Sequence, residues 1–222
     1  MNMNLHSKIL FAASILSANT FALDLQAIFD NQKKSAFPDT CEMQMRTTME
    51  IPGFAPQKVD ADVINAGPAK SIATIQSGAM QMKIVQNGGR MKATDLKTGK
   101  ALPAQNIPRQ GMTDVSKQVG SPEDYNAPVR QGTLWKITPK DSSKPTLLYS
   151  AKSRRIVKMT ALVNGAESET EFEYCDNTCR LPGTLKKTTT TTKFGGTSSK
   201  VVVEILQARE HHSLPSRLFD VE

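Results

Sequence analysis

The sequence has 222 residues and a formal net charge of +7, and 5% of its residues are aromatic. Basic residues are scattered among acids, so the composition lacks the basic, aromatic-rich patch expected of a nucleic-acid-binding protein. It contains no G-x-S-x-G elbow, no H-E-x-x-H pair and no glycine-rich phosphate loop. We therefore expect no enzyme activity, no catalytic residues, no cofactor and no nucleic-acid partner.

Residues 1–22 have the three-part plan of a secretory signal peptide. Lys8 lies in a short polar lead, an apolar run extends from Ile9 to Leu16, and small residues precede Ala22. The run is too short for a membrane anchor, and a buried core helix, the alternative, does not explain the charge and the small residues. We predict cleavage after Ala22, export to the periplasm, and a single domain over residues 23–222.

The three cysteines are Cys41, Cys175 and Cys179. In an oxidising compartment the short spacing of Cys175 and Cys179 predicts a disulfide, which leaves Cys41 unpaired. A zinc site that also uses His211 and His212 is the alternative, but its spacing fits no standard zinc motif, and we predict no metal.

The mature chain begins with one helix and one strand. LDLQAIFDNQKKSA places Leu25, Ile28 and Phe29 at helical spacing after the capping residue Asp24. The next segment, CEMQMRTTMEI, alternates strictly and predicts a strand with one apolar and one polar face. The apolar face comprises Met43, Met45, Thr47, Met49 and Ile51.

The same alternation predicts strands in KVDADVINA, SIATIQ and MQMKIVQNGGRMKATD. A turn at Asn87-Gly88 would place Ile84 opposite Met91 and Met82 opposite Ala93, with Met80 on the same face. A connection rich in Pro, Gln and Gly then runs from residue 102 to residue 126, and its TDVSKQV segment favours a short helix.

Strands resume at GTLWKITPK and PTLLYS and continue into the hairpin SRRIVKMTALVNGAESETEFEY. Its Asn164-Gly165 dipeptide favours a type I′ turn, which places Val163 opposite Ala166, Lys158 opposite Glu171 and Ile156 opposite Glu173. The alternating carboxylates of this stretch share one face with basic residues opposite, so we interpret them as a solvated, charge-paired surface rather than an active site. They are Glu167, Glu169, Glu171 and Glu173.

The last hairpin turns at Gly195-Gly196, places Lys187 opposite Glu204, and gathers Phe194, Val201, Val203 and Ile205 on one side. No helix alternates regularly with the strands, so a parallel α/β sheet is excluded. We predict a mainly β (α+β) fold, in which a curved antiparallel sheet forms an incomplete barrel. The N-terminal helix and a short helical or loop lid would cover it.

Seven of the methionines fall on the predicted apolar face: Met43, Met45, Met49, Met80, Met82, Met91 and Met159. Methionine adapts its shape, so it suits surfaces that bind variable apolar partners, but it also fills ordinary cores. The shortage of large aromatic residues and helices favours a cavity, and a filled core remains the alternative.

Together, several of these segments resemble the LolA-type outer-membrane lipoprotein-sorting family over about residues 24–210. They are the leader, the helix, the Met-rich strand, the Gly67-Pro68-Ala69-Lys70 junction, QNGGRMKATD, LLYSAKSRRIVKM, ESETEFEY and LPGTLKK. The resemblance implies a helix-lidded half-barrel whose concave face holds lipoprotein acyl chains in transit. Carrier members place an arginine before the junction proline to fasten the lid, and this chain departs from them with Gly67.

The resemblance implies Leu25, Ile28 and Phe29 as the lid and envelope proteins of the inner and outer membranes as partners of a monomeric carrier. A non-transporting interaction or sensor module with the same half-barrel is the alternative. The implied acyl-chain or lipid ligands would contact Met43, Met45, Met49, Ile51, Met80, Met82, Ile84, Met91, Met159, Phe172, Val201 and Val203.

Overall fold

The computed structural model of the protein describes residues 23–67, 69–103 and 119–221. The predicted signal peptide, the junction residue Pro68 and all but the last residue of TDVSKQV lie outside these ranges. Within the described residues, no helix is long and apolar enough to cross a membrane.

One helix and thirteen strands make up the regular structure of the described chain. Helix α1 spans Leu25–Lys33, and the Asp24 carboxylate caps it by accepting a hydrogen bond from the Gln26 N–H at 3.0 Å. The strands are β1 (Thr40–Glu50), β2 (Gln57–Ala66), β3 (Lys70–Ser77), β4 (Met80–Asn87), β5 (Arg90–Asp95), β6 (Ala101–Leu102), β7 (Val129–Gln131), β8 (Leu134–Ile137), β9 (Thr146–Ser150), β10 (Arg155–Val163), β11 (Ala166–Tyr174), β12 (Leu185–Phe194) and β13 (Thr197–Glu210). Short 3-10 turns occur at Pro122–Asp124 and Ser216–Phe219.

The strands form a single antiparallel sheet in the order β6-β5-β4-β3-β2-β1-β13-β12-β11-β10-β9-β8-β7. The first and last strands of the chain therefore pair with each other in the middle of the sheet, while β6 and β7 form its two edges. Because the edges do not pair, the sheet is not closed into a barrel. The predicted mainly β fold, with an incomplete barrel and an N-terminal helix, is confirmed.

Two predicted hairpins have the expected register. Asn164 and Gly165 adopt positive φ values of 52° and 79°, as a type I′ turn requires, and Val163 pairs with Ala166 and Lys158 with Glu171. The Gly195-Gly196 turn likewise places Lys187 opposite Glu204.

Both pairings predicted for the β4-β5 hairpin are wrong. Met91 pairs with Gln86, and Ala93 with Ile84, because the turn is centred on Gly88-Gly89 and not on Asn87-Gly88. This two-residue shift leaves every side chain on its predicted face.

Ile156 does not face Glu173 in solvent but is fully buried. A β-bulge in β10 between Ile156 and Lys158 reverses the alternation at this point and turns Ile156 to the other face.

Two groups of buried residues lie on the face of the sheet that bears α1, which we call the inner face. The helix cluster lies under α1 and contains Ile28, Phe29, Val119, Tyr125, Ile137, Leu147, Tyr149, Ile156, Phe172 and Leu185. The methionine cluster lies on β1 to β5 and contains Cys41, Met43, Val63, Ala73, Ile75, Met82, Ile84 and Ala93.

The opposite, outer face carries charged pairs. Lys158 Nζ lies 2.7 Å from Glu169 Oε1 and 3.7 Å from Glu171 Oε1, and Lys187 Nζ lies 3.8 Å from a carboxylate oxygen of both Glu173 and Glu204. These side chains are partly exposed, so each pair contributes at most about 1 kcal/mol to stability. Glu169, Glu171 and Glu173 of β11 are thus paired with lysines, as a solvated face requires.

Candidate ligand-binding face

The inner face is built by residues that lie opposite one another on adjacent strands. Met43 on β1 pairs with Val63 on β2, Val63 with Ala73 on β3, Ala73 with Ile84 on β4, and Ile84 with Ala93 on β5. Side chains alternate between the two faces along each strand. Further rows of inner-face residues therefore occur at every second position of these strands.

Between the two clusters, the inner face is only partly covered. Met45 pairs with Ile205, Thr47 with Val203, and Met49 with Val201, and all of these side chains are half-buried. We call this region the central band, and it comprises Met45, Thr47, Met49, Val59, Ala61, Thr190, Thr192, Val201, Val203 and Ile205.

The threonines of the central band do not make it strongly polar. Thr190 pairs with Val201, and its hydroxyl lies 3.0 Å from the hydroxyl of Thr170 on β11. One hydroxyl donates to the other, so the two side chains satisfy part of each other's hydrogen-bonding capacity within the sheet. The band can therefore offer methyl and thioether surface to an apolar molecule.

The predicted ligand-binding residues fall into distinct environments. Met43, Met82 and Ile84 belong to the methionine cluster, with relative exposures of 0%, 3% and 7%. Phe172 lies in the helix cluster, against which Met159 packs. The predicted residues on the central band are Met45, Met49, Val201 and Val203, and those strongly exposed at or near strand ends are Ile51, Met80 and Met91.

The predicted lid residues pack on the helix cluster. Ile28 and Phe29 are almost fully buried, Leu25 contacts the same cluster, and the rings of Phe29 and Tyr125 lie 5.5 Å apart. The C-terminal 3-10 turn contacts β3 and β4, and Phe37, which follows α1, contacts both clusters. Helix α1 therefore covers one end of the inner face and leaves the central band beside it.

A buried polar network, not predicted from the sequence, holds α1 to the sheet. The Gln32 side chain donates to the Tyr174 hydroxyl at 3.1 Å and accepts from the Ile156 N–H at 3.2 Å. The Tyr174 hydroxyl in turn donates to the Ile156 carbonyl at 2.7 Å. Burial raises the pKa of Tyr174 to about 12. Gln32 follows Ile28 by one helical turn, which is the sequence signal that places it on the buried side of α1.

All three cysteines are thiols in the structure. Cys175 and Cys179 line a cavity of about 590 Å³ between the end of β13 and the loop that precedes β12. Burial raises the pKa of Cys175 to about 11, and a hydrogen bond with Cys179 contributes to the rise. Burial also raises the pKa of Cys41, which lies in the methionine cluster. The Cys175–Cys179 disulfide stays a prediction.

We expect non-reducing peptide mapping of protein isolated from an oxidising compartment to find Cys175 joined to Cys179. The two thiols already hydrogen-bond, whereas Cys41 is fully buried on β1 and out of reach of oxidants. Mapping after denaturation in an alkylating reagent would count the free thiols. A quantitative bridge from Cys41 to either of the others would contradict the prediction.

The His211 ring contacts a carboxylate of β1. Its Nε2 atom lies 3.2 Å from Glu42 Oε2, a carboxylate that also pairs with Arg209. Across the described residues, no group of three or more His, Cys, Asp or Glu side chains could hold a metal ion.

Comparison with solved structures identifies the architecture. A LolA superfamily protein from Nitrosomonas europaea superposes with a TM-score of 0.60 at 15% sequence identity, over 90% of this chain and 99% of that chain. A domain from Vibrio parahaemolyticus, classed as an outer membrane lipoprotein-sorting protein, superposes with a TM-score of 0.51 at 9% identity, over 88% and 95% of the two chains. The chain has the LolA-like fold. No protein-family model and no curated protein sequence matches it.

In this LolA-like sheet, the central band and the helix cluster share the inner face. At such low identities the likeness describes the fold, and function has to be argued from the face itself.

Proposed function

We propose that the protein is a periplasmic carrier that binds the acyl chains of lipoproteins or lipids on its inner face and delivers them toward the outer membrane. The observation that carries this proposal is the central band, a half-buried apolar strip between two buried clusters. Apolar surface of this extent in a soluble domain is typical of a binding groove.

The side chains of the central band suit an acyl chain. Each methylene that leaves water contributes about 0.8 kcal/mol, so burial of about ten carbons contributes roughly 8 kcal/mol before the entropic cost of association. The thioethers of Met45 and Met49 are flexible and polarizable, so they can pack against chains of different length. No directional polar contact is required, which fits a carrier of varied cargo.

The proposal assigns no catalytic residues and no cofactor. Its partners would be envelope proteins that load the carrier at the inner membrane and unload it at the outer membrane, and it would act as a monomer. A second candidate is an interaction or sensor module that uses the same sheet without transport, because a hydrophobic strip also suits a protein segment.

Mass spectrometry of gently purified protein would separate the two candidates. A carrier should retain acyl lipids or lipopeptides at a defined ratio, and these should exchange with a fluorescent fatty acid in a saturable titration. A protein that carries no lipid and does not bind the fluorescent acid would leave only the interaction module.

A further inference from the structure

Most of the strongly exposed large apolar side chains lie at one end of the sheet. At that end β1 turns into β2, β3 into β4, β5 into β6, β10 into β11 and β12 into β13. We call these side chains the apolar rim, and they are Ile51, Phe54, Met80, Leu96, Leu162, Val163 and Phe194. Their relative exposures range from 45% for Ile51 and Leu96 to 71% for Phe54.

The rim residues stand on separate hairpins that are neighbours in the sheet. Consecutive hairpin ends are two strands apart, which is about 10 Å. Five hairpins follow one another in the strand order of the sheet, and the end of each carries at least one rim residue. They are β6-β5, β4-β3, β2-β1, β13-β12 and β11-β10. The apolar rim therefore forms a row of separate, exposed side chains along one end of the sheet, which we call the mouth of the inner face.

Lysines lie in the same hairpin segments as the residues of the apolar rim. The segments of residues 50–58, 95–100, 162–167 and 193–200 carry five lysines and three carboxylates. One of these carboxylates, Asp95, accepts hydrogen bonds from the N–H groups of Lys97 and Thr98 in its own turn. Along β12, Phe194 is on the inner side and Lys193 on the outer side, whereas Leu162 on β10 shares the outer side with Glu167.

We propose that this rim docks the protein on a bilayer that contains anionic lipid, with the mouth of the inner face toward the membrane. The separate rim side chains can each enter the boundary between headgroups and acyl chains, and neighbouring lysines can reach the lipid phosphates. A folded protein partner is less suited, because the polar hairpin turns between the rim side chains leave no continuous apolar patch to cover.

Docking does not depend on the proposed carrier function. The rim would bind vesicles whether or not the inner face holds an acyl chain. The vesicle assay and the fatty-acid titration therefore fail or succeed separately.

The test is flotation of the full-length protein with phosphatidylcholine vesicles that contain about a third phosphatidylglycerol, where surface charge attracts lysines. The double variant Phe54→Ser, Phe194→Ser should bind at least about ten-fold more weakly than the wild type. Leu218→Ser is the matched control, since Leu218 is exposed on the C-terminal 3-10 turn and not at the rim. It should bind like the wild type.

A second variant tests the charges. Lys193→Gln with Lys200→Gln should weaken binding to the anionic vesicles several-fold and leave binding to pure phosphatidylcholine unchanged. The wild type and all variants carry the same N-terminus, so any contribution of residues 1–22 is the same in each. If the wild type does not float with vesicles, or the phenylalanine variant floats equally well, the proposal is overturned and the rim would be assigned to a protein partner.

Discussion

Met45→Glu is expected to abolish binding of a fluorescent acyl lipid and to leave the protein folded. Met45 is half-buried on the central band, where it pairs with Ala61 on one side and Ile205 on the other. In the ligand-free protein, the carboxylate introduced by Met45→Glu can reach water. A bound acyl chain would desolvate it without a partner, at a cost of about 3 kcal/mol or more, which lowers affinity by more than about a hundredfold.

Two further variants distinguish a binding face from a filled core. Thr48→Glu places the same carboxylate three residues further along β1, on the outer face opposite Lys58 and Val202, so this variant should bind lipid like the wild type. Met82→Glu buries the charge in the methionine cluster, where Met82 is 3% exposed, and should cost about 3 to 5 kcal/mol of folding stability.

Lipid titration and thermal unfolding of all three variants provide the measurements. The carrier proposal fails if Met45→Glu unfolds the domain as Met82→Glu does while the wild type binds no lipid. The inner face would then be a continuous core, and the interaction module would be the better proposal.

The faces of the strands could be predicted from the sequence because a sheet with one apolar side imposes a period of two. Positive-φ turn residues predicted the register at Asn164-Gly165 and Gly195-Gly196. The β4-β5 register could not be predicted as reliably, since Asn87, Gly88 and Gly89 offer two adjacent two-residue turns. The bulge before Lys158 has no sequence signal, and it buried Ile156.

The candidate site was predicted as one methionine surface, and the structure divides it. Periodicity assigns a residue to a face, but it does not say what covers that face. Which part of the inner face is covered depends on where α1 packs. The position of α1 is set by the packing of Ile28 and Phe29 in one cluster with residues of β8 to β12. Met45 and Met43 are two residues apart on one strand, yet only Met43 is fully buried.

Gln32→Ala is expected to lower the free energy of unfolding by about 2 to 4 kcal/mol, a large effect for a single polar side chain. The Gln32 side chain is 3% exposed and joins α1 to both the Ile156 N–H and the Tyr174 hydroxyl. Alanine would leave this buried N–H without a partner and open a cavity beneath the last turn of the helix.

Gln26→Ala is the matched control in the same helix. The Gln26 side chain is exposed and donates a hydrogen bond to Asp30 at 3.0 Å, so its loss should change stability by less than about 0.5 kcal/mol. Denaturant unfolding measures both variants, and hydrogen exchange should show faster opening of α1 in Gln32→Ala alone. Equal effects of the two substitutions would contradict a specific role for the network and leave α1 held by Ile28 and Phe29.

Alkaline unfolding tests the same network through Tyr174. Its folded pKa is raised to about 12, above the value near 10 of an unfolded tyrosine, so the folded state keeps this proton longer. The contribution of Tyr174 to stability is therefore fully present below about pH 10 and is lost as the pH rises toward 12. Tyr174→Phe should be less stable than the wild type at neutral pH and should lose less of its stability over that range. If the two proteins lose stability in parallel, the buried hydroxyl does not couple α1 to the sheet, and the packing of Ile28 and Phe29 holds the helix instead.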